Sequence, residues 1–222
     1  MAVQTAPIQT ISMQVGYTRA KRLFDILFTL LLALPLLLVS AFIAVLIMLD
    51  SRGPVLFRQK RVGQNGKEFE MLKFRSMYVH KDDGTHREAI KLYMNGEKLN
   101  NGGKTPYKIT QDSRITRIGR FLRKTSLDEI PQFWNVLMGE MSLVGPRPPL
   151  PYEVELYSPH ATLRLCGKPG LTGPWQVHGR SCVSFDEMIE MDISYLQQQS
   201  FWKDVRFICL TIPVMVVGRG GA

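Results

Sequence analysis

Little in this chain suits soft-metal or disulfide chemistry. Its three cysteines, Cys166, Cys182 and Cys209, form no C-x-x-C and leave one over, which argues against a disulfide framework and for a reducing compartment. The four histidines make no H-E-x-x-H and cluster with no cysteine, so zinc is not expected. Acidic residues are scarce too. Nineteen Asp and Glu stand against 28 Lys and Arg, for a formal charge of +9 and a pI near 9.6. That imbalance points to an anionic partner: nucleic acid, anionic lipid or a phosphorylated small molecule. No recognition helix, RNA-binding aromatic pair or zinc finger accompanies it, so nucleic acid is set aside. At 222 residues the chain fits one domain, at most two.

Charge is absent altogether from Ile26 to Leu49, a run of 24 residues. As a helix it would reach about 36 Å at 1.5 Å per residue, against a hydrocarbon core of about 30 Å. It is too long for a signal peptide, and no small-residue cleavage site follows. Pro35 inside it predicts a kink or break. Both flanks are basic: Arg19, Lys21 and Arg22 before, Arg52, Arg58, Lys60 and Arg61 after. The positive-inside tendency draws both to the cytoplasm, which a helix bent at Pro35 and returning to its own face satisfies. A tilted span with a proline kink is the alternative.

After Ser51-Arg-Gly-Pro54 the period becomes that of strands. Val55-Leu-Phe-Arg-Gln59 and Phe69-Glu-Met-Leu-Lys-Phe74 flank Asn65-Gly66, which predicts a β-hairpin. It ends in Lys73-Phe-Arg-Ser-Met77, where Lys73 and Arg75 either hold a phosphate or keep an edge soluble. His86 to Leu99 has helical spacing and no expected role. Ile115, Ile118, Phe121 and Leu122 then form one face of a basic helix, with Arg114, Arg117, Arg120 and Lys124 on the other. Such a helix suits a membrane surface.

Asp128 and Glu129 follow that cationic run. Surrounding cations would hold the pair charged, a state suited to a phosphate or a phosphate-bound metal. Equally, Ser126 to Glu129 fits a capping box, with Asp128 only complementing a helix dipole. Beyond lies Gly145-Pro-Arg-Pro-Pro149, whose prolines restrict Arg147. Phe185 to Leu196 has helical spacing. The apolar run Phe207 to Val217, broken by Pro213, should lie in the interface or pack on the membrane helix. The fold expected is mainly α with a short β-hairpin. It comprises a tail over 1–18, a re-entrant membrane helix over 19–50, and a catalytic domain with interfacial amphipathic helices over 51–222.

Several motifs occur in order: Lys21-Arg-Leu-Phe-Asp25, Phe57-Arg-Gln59, Lys73-Phe-Arg-Ser-Met77, Thr125-Ser-Leu-Asp-Glu-Ile-Pro-Gln132, Ser142-Leu-Val-Gly-Pro-Arg-Pro148, and Pro169-Gly-Leu-Thr-Gly173 through Gln176-Val-His-Gly-Arg180. From about residue 19 onward the chain resembles the bacterial sugar transferase family, the monotopic polyprenyl-phosphate phosphoglycosyl transferases. The resemblance implies transfer of a sugar-1-phosphate from a UDP-sugar to undecaprenyl phosphate, with release of UMP, at the cytoplasmic face of the inner membrane. Asp128 would be the nucleophile and Glu129 its helper, acting through a proton or through Mg²⁺ or Mn²⁺ that the two would share. Lys73, Arg123, Arg147 and Arg180 would bind phosphate, with Arg75 beside Lys73.

The sequence departs from the family pattern in places. Pro35 follows Leu34 where the family has Ser, Gly173-Pro-Trp175 replaces a common Gly-Trp-Ala, and His178 stands where Asn is common. The C-terminal Gly218-Arg-Gly-Gly-Ala222 resembles the exopolysaccharide-initiating branch, implying galactose or glucose phosphate. The resemblance also implies a minimal catalytic unit without the N-terminal membrane bundle of larger members. A homo-oligomer is left open. So are two rival functions, a membrane-anchored lipid-binding scaffold and a nucleotide-sugar hydrolase.

Overall fold

The computed structural model describes residues 15–78, 91–94, 114–179 and 183–217. Arg180 and most of the expected helix at 86–99 lie outside them; the described turn at 91–94, α2, is helical. The architecture is mainly helical, with one antiparallel hairpin and one small parallel pair of strands.

Leu- and Ala-rich sequence favours helix, and α1 (Val15–Asp50) runs as one helix of 36 residues. Of the kink or break expected at Pro35, a break does not occur. Proline removes one backbone bond, while the turns on either side keep theirs. Burial divides α1 into three parts. Lys21, Asp25 and Thr29 are buried near one end and Ile43 and Ile47 near the other, while no residue between 30 and 42 is buried.

Both ends are tied to the rest of the molecule. At the first, Lys21 pairs with Asp204, and Asp25 accepts the Leu143 N–H at 3.1 Å. Arg22 donates to the carbonyls of Val136 and Leu137 at 2.5 and 2.7 Å. At the second, Asp50 accepts the Ile118 N–H at 3.0 Å, and Ile43 and Ile47 pack with Phe74, Leu122 and Ile130.

The hairpin forms as read, β1 (Leu56–Val62) against β2 (Glu68–Phe74), with Phe57 opposite Lys73. Asn65 and Gly66 both take positive φ, 56° and 77°, the conformation an Asn-Gly turn supplies. Phe69 and Met71 alternate inward between exposed Glu68 and Glu70 and join Val136, Met141, Leu143 and Tyr195 in the main core. Then come α3 (Arg117–Thr125), a 3₁₀ turn at Leu127–Glu129, and α4 (Gln132–Met138). Leu122 is buried as expected, but Phe121 is 54% exposed. It therefore lies outside the buried face assigned to it, because α3 meets the domain over a stripe only as wide as Ile118, Gly119 and Leu122. Gly119 is indispensable to that contact: a Cβ there would stand 2.0 Å from the Ser76 carbonyl oxygen.

β3 (Ser142–Val144) pairs in parallel with β4 (Gly170–Thr172), a pairing the sequence did not announce. Between them lie the single turns α5 (Pro151–Val154) and α6 (Pro159–Thr162). The chain ends in α7 (Phe185–Gln197) and α8 (Phe201–Val217). Of the run Phe207 to Val217, Phe207 and Ile208 pack against the main core; α8 meets α1 nearer its start, where Phe201 stacks edge-on against Phe24 at 5.2 Å and Asp204 receives Lys21.

Candidate active site

Asp128 sits in the 3₁₀ turn between α3 and α4, and Ser126 sets up that turn. Ser126 has φ 57° and ψ 17°, closes α3 as its C-cap, and makes no side-chain capping bond. The capping box expected at Ser126–Glu129 is therefore not formed. A left-handed residue ends one helix and turns the chain into the short 3₁₀ segment that carries both acids. A non-glycine residue in that conformation is uncommon and carries strain of order 1–3 kcal/mol.

The two acids have different surroundings. Glu129 meets Lys73, from the end of β2, at 2.7 Å, and both are partly exposed. Asp128 is only 8% exposed. Burial pushes its carboxyl up to about 6; Lys73 and Arg123 pull it down and the Glu129 charge pushes it up. The sequence led us to expect cations holding both acids charged. At Asp128 desolvation outweighs them.

A second cationic group lies beyond Glu129. Arg147, in the proline loop after β3, is held by Glu153 through both terminal nitrogens, at 3.2 and 3.4 Å. Its guanidinium lies 5.7 Å over the Trp175 ring. Glu153 is buried, accepts the Leu150 N–H at 2.9 Å, and stays below the usual carboxylate range because Arg147 and Arg61 outweigh its own burial. Arg61 was not singled out from sequence. It is buried, donates to the Pro148 carbonyl at 2.8 Å, and is lowered to about 10 by burial and by the neighbouring Arg147. The Glu129 charge also acts on it. Arg61 thus ties β1 to the arginine loop. Underneath, Arg164 fastens the Arg147 carbonyl at 3.0 Å and forms a fully buried pair with Asp192.

Of the expected site residues, Lys73, Glu129 and Arg123 all act on the Asp128 carboxyl, while Arg147 is held in a separate cluster with Glu153, Arg61 and Trp175. Arg75 is placed differently. It is 4% exposed and donates to the carbonyls of Pro54, Ser51 and Ile47 and to the Ser51 hydroxyl, closing the end of α1. Strand residues two apart share a face only while the strand lasts, and β2 ends at Phe74, between Lys73 and Arg75. Nothing in the sequence marked Glu153 or Arg61. Their partners are a proline loop and a strand brought together only by the fold.

Among the described residues no three His, Cys, Asp or Glu side chains gather as a metal cluster. Two carboxylates still fit a hard cation such as Mg²⁺, which binds through one or two carboxylates and fills its other positions with water and phosphate oxygens. Asp128 supports that fit, since a buried carboxylate raised to about 6 has too little positive charge beside it.

Comparison with known proteins gives the family. The family model described as "Bacterial sugar transferase" matches residues 16–218. Galactosyl transferase CpsE of Streptococcus agalactiae is 42% identical over 202 residues, 90% of this chain and 43% of that protein. Exopolysaccharide production protein ExoY of Rhizobium meliloti is 40% identical over 204 residues, 90% of this chain and 87% of that one. The UDP-glucose:undecaprenyl-phosphate glucose-1-phosphate transferase of Xanthomonas campestris pv. campestris is 42% identical over 186 residues, 80% of this chain and 34% of that protein. The chain therefore spans less than half of the first and last of these and most of the second.

Proposed function

The chain belongs to the bacterial sugar transferase family, and from that premise we propose that it moves a hexose-1-phosphate from a UDP-sugar to undecaprenyl phosphate. The observation that carries this reading is Asp128: a buried carboxylate with an elevated pKa, flanked by Lys73, Arg123 and Glu129 and backed by the Arg61–Arg147 pair. Buried, strongly perturbed acids beside fixed cations mark sites of chemistry more often than of architecture.

In the first step an Asp128 oxygen attacks the phosphorus that carries the sugar. The bond to the bridging oxygen breaks, UMP leaves with that electron pair, and an aspartyl phosphosugar remains. In the second step a phosphate oxygen of the lipid attacks the same phosphorus and releases the Asp128 carboxylate. Lys73, Arg123 and Arg147 offset the charge that grows on the phosphoryl oxygens, the usual demand in phosphoryl transfer. Mg²⁺ held by Asp128 and Glu129 would supply further positive charge at the pyrophosphate. We assign Arg75 to bracing α1 and leave it out of the phosphate set. Galactose and glucose are the donor sugars named for relatives, and either is the first donor to try.

Both ends of α1 hold the same domain while its apolar middle stands clear. This supports a helix that dips into the cytoplasmic leaflet of the inner membrane and returns, since a span would carry its ends to opposite sides. Ala20→Cys and Glu68→Cys, in a background lacking the native cysteines, should both resist an impermeant thiol reagent added outside intact cells. Labelling of one alone means a span.

The reaction itself is tested by UMP release from UDP-galactose and UDP-glucose, with and without undecaprenyl phosphate. Steady turnover that requires the lipid supports transfer. Steady release without lipid means hydrolysis, and no release with any nucleotide sugar leaves a lipid-binding scaffold.

A further inference from the structure

A second cationic feature lies at the opposite end of α4 from Asp128. Gly139 closes α4 with φ 81°, a left-handed cap that strains any side chain. A Cβ built there would lie 3.3 Å from Arg22 Nη2 and 3.6 Å from Lys168 Nζ. The absent side chain therefore lets two cationic heads gather at this cap as a small cationic cradle.

Arg22 is anchored by the Val136 and Leu137 carbonyls. Lys168 is half-buried and, among the described residues, makes no hydrogen bond or ion pair. Burial lowers its ammonium, Arg22 beside it lowers it further, and Asp25 opposes both. Asp25 is itself buried and committed to the Leu143 N–H, so Lys168 is not neutralised. Two like charges gathered in one half-buried place, one of them unpaired, call for an anion.

The neighbourhood identifies that anion. Arg22 begins the membrane helix, and Leu23, Leu27 and Met138 around it are 59%, 56% and 61% exposed. Apolar side chains laid open beside a cation pair at the foot of a membrane helix match a molecule with acyl chains and a phosphate head.

We propose that Arg22 and Lys168, gathered beside Gly139, hold the headgroup phosphate of an anionic glycerophospholipid from the host bilayer. The site is separate from the reaction centre and rests only on α1 being seated in a membrane. Occupied, it would fix the depth and tilt at which α1 and α4 meet the headgroup layer.

The test is lipid retention. Wild type, Lys168→Met and Lys168→Arg are reconstituted in phosphatidylcholine containing phosphatidylglycerol, extracted in detergent, and the co-purified lipid is weighed by mass spectrometry. Wild type and Lys168→Arg should be enriched in phosphatidylglycerol, and Lys168→Met should lose about fivefold of that enrichment, the worth of one cation at an anionic surface. Equal retention by Lys168→Met overturns the proposal. Stoichiometric displacement of phosphatidylglycerol by undecaprenyl phosphate also overturns it, because the cradle would then belong to the acceptor. UMP release is a separate readout: its absence with retention intact sinks the reaction and leaves this site standing.

Discussion

Two buried aspartates show how this molecule separates architecture from chemistry. Asp204, in α8, is fully buried and accepts from the Tyr195 hydroxyl at 2.5 Å and the Tyr17 hydroxyl at 2.8 Å, and it pairs with Lys21. Every donor around it comes from an element it must fasten, α1 or α7. Asp128 is almost as buried, yet its cations act on it from a distance and desolvation prevails. A satisfied acid holds the fold together. An acid buried without a paired cation is held by the fold at a cost, the pattern that more often marks chemistry than architecture.

The largest effect should come from exchanging each acid for its amide. Asp128→Asn should lower lipid-dependent UMP release by about a thousandfold or more, the scale of losing a nucleophile, and leave no sugar label on the chain when a labelled donor is supplied without lipid. It should also stabilise the protein. The Asp128 carboxyl rises from 3.8 unfolded to about 6 folded, so its contribution to stability is fully present below pH 3.8 and lost as pH climbs through 6. Above pH 6 the wild-type charge costs the fold up to about 3 kcal/mol. Chemical denaturation should therefore show Asp128→Asn ahead of wild type at pH 8 and level with it at pH 4. Asp204→Asn should behave in the opposite way, losing about 3–5 kcal/mol because Lys21 is left buried without its counter-charge. Two amides with the same stability change would collapse the distinction.

Next come the arginines. Arg147→Lys keeps the charge but loses the planar fork that meets Glu153 and that the proposed reaction needs for a phosphate. A fall of about a hundredfold in kcat/KM is expected, and near-normal activity would reduce Arg147 to a point charge. Arg75→Lys should change kcat/KM far less. It should lower the unfolding free energy instead, by about 1–3 kcal/mol, since the carbonyls at the end of α1 lose donors.

The smallest effect is a shift in pH dependence. Activity should fall as pH drops through about 6, where Asp128 gains its proton. Lys73→Met removes a cation that pulls this value down, so the acidic limb should move to higher pH. A limb unmoved by Lys73→Met would mean that another group sets it.

The sequence by itself determined what depends on near neighbours. The uncharged run from Ile26 to Leu49, the Asn65-Gly66 hairpin and the helical stripe of Leu122 all follow from local periodicity and turn chemistry, and all were legible. The carboxylate pair was legible too, through its motif. Tertiary structure decided how each charge is used, because desolvation and pairing depend on residues far away in the chain. Ser126 looked like a cap and became a left-handed hinge. Lys73 and Arg75 looked alike, and the end of β2 sent one to Glu129 and the other to α1. Arg61 and Glu153, 92 positions apart in the numbering, act together on Arg147 only because β1 lies against the proline loop after β3.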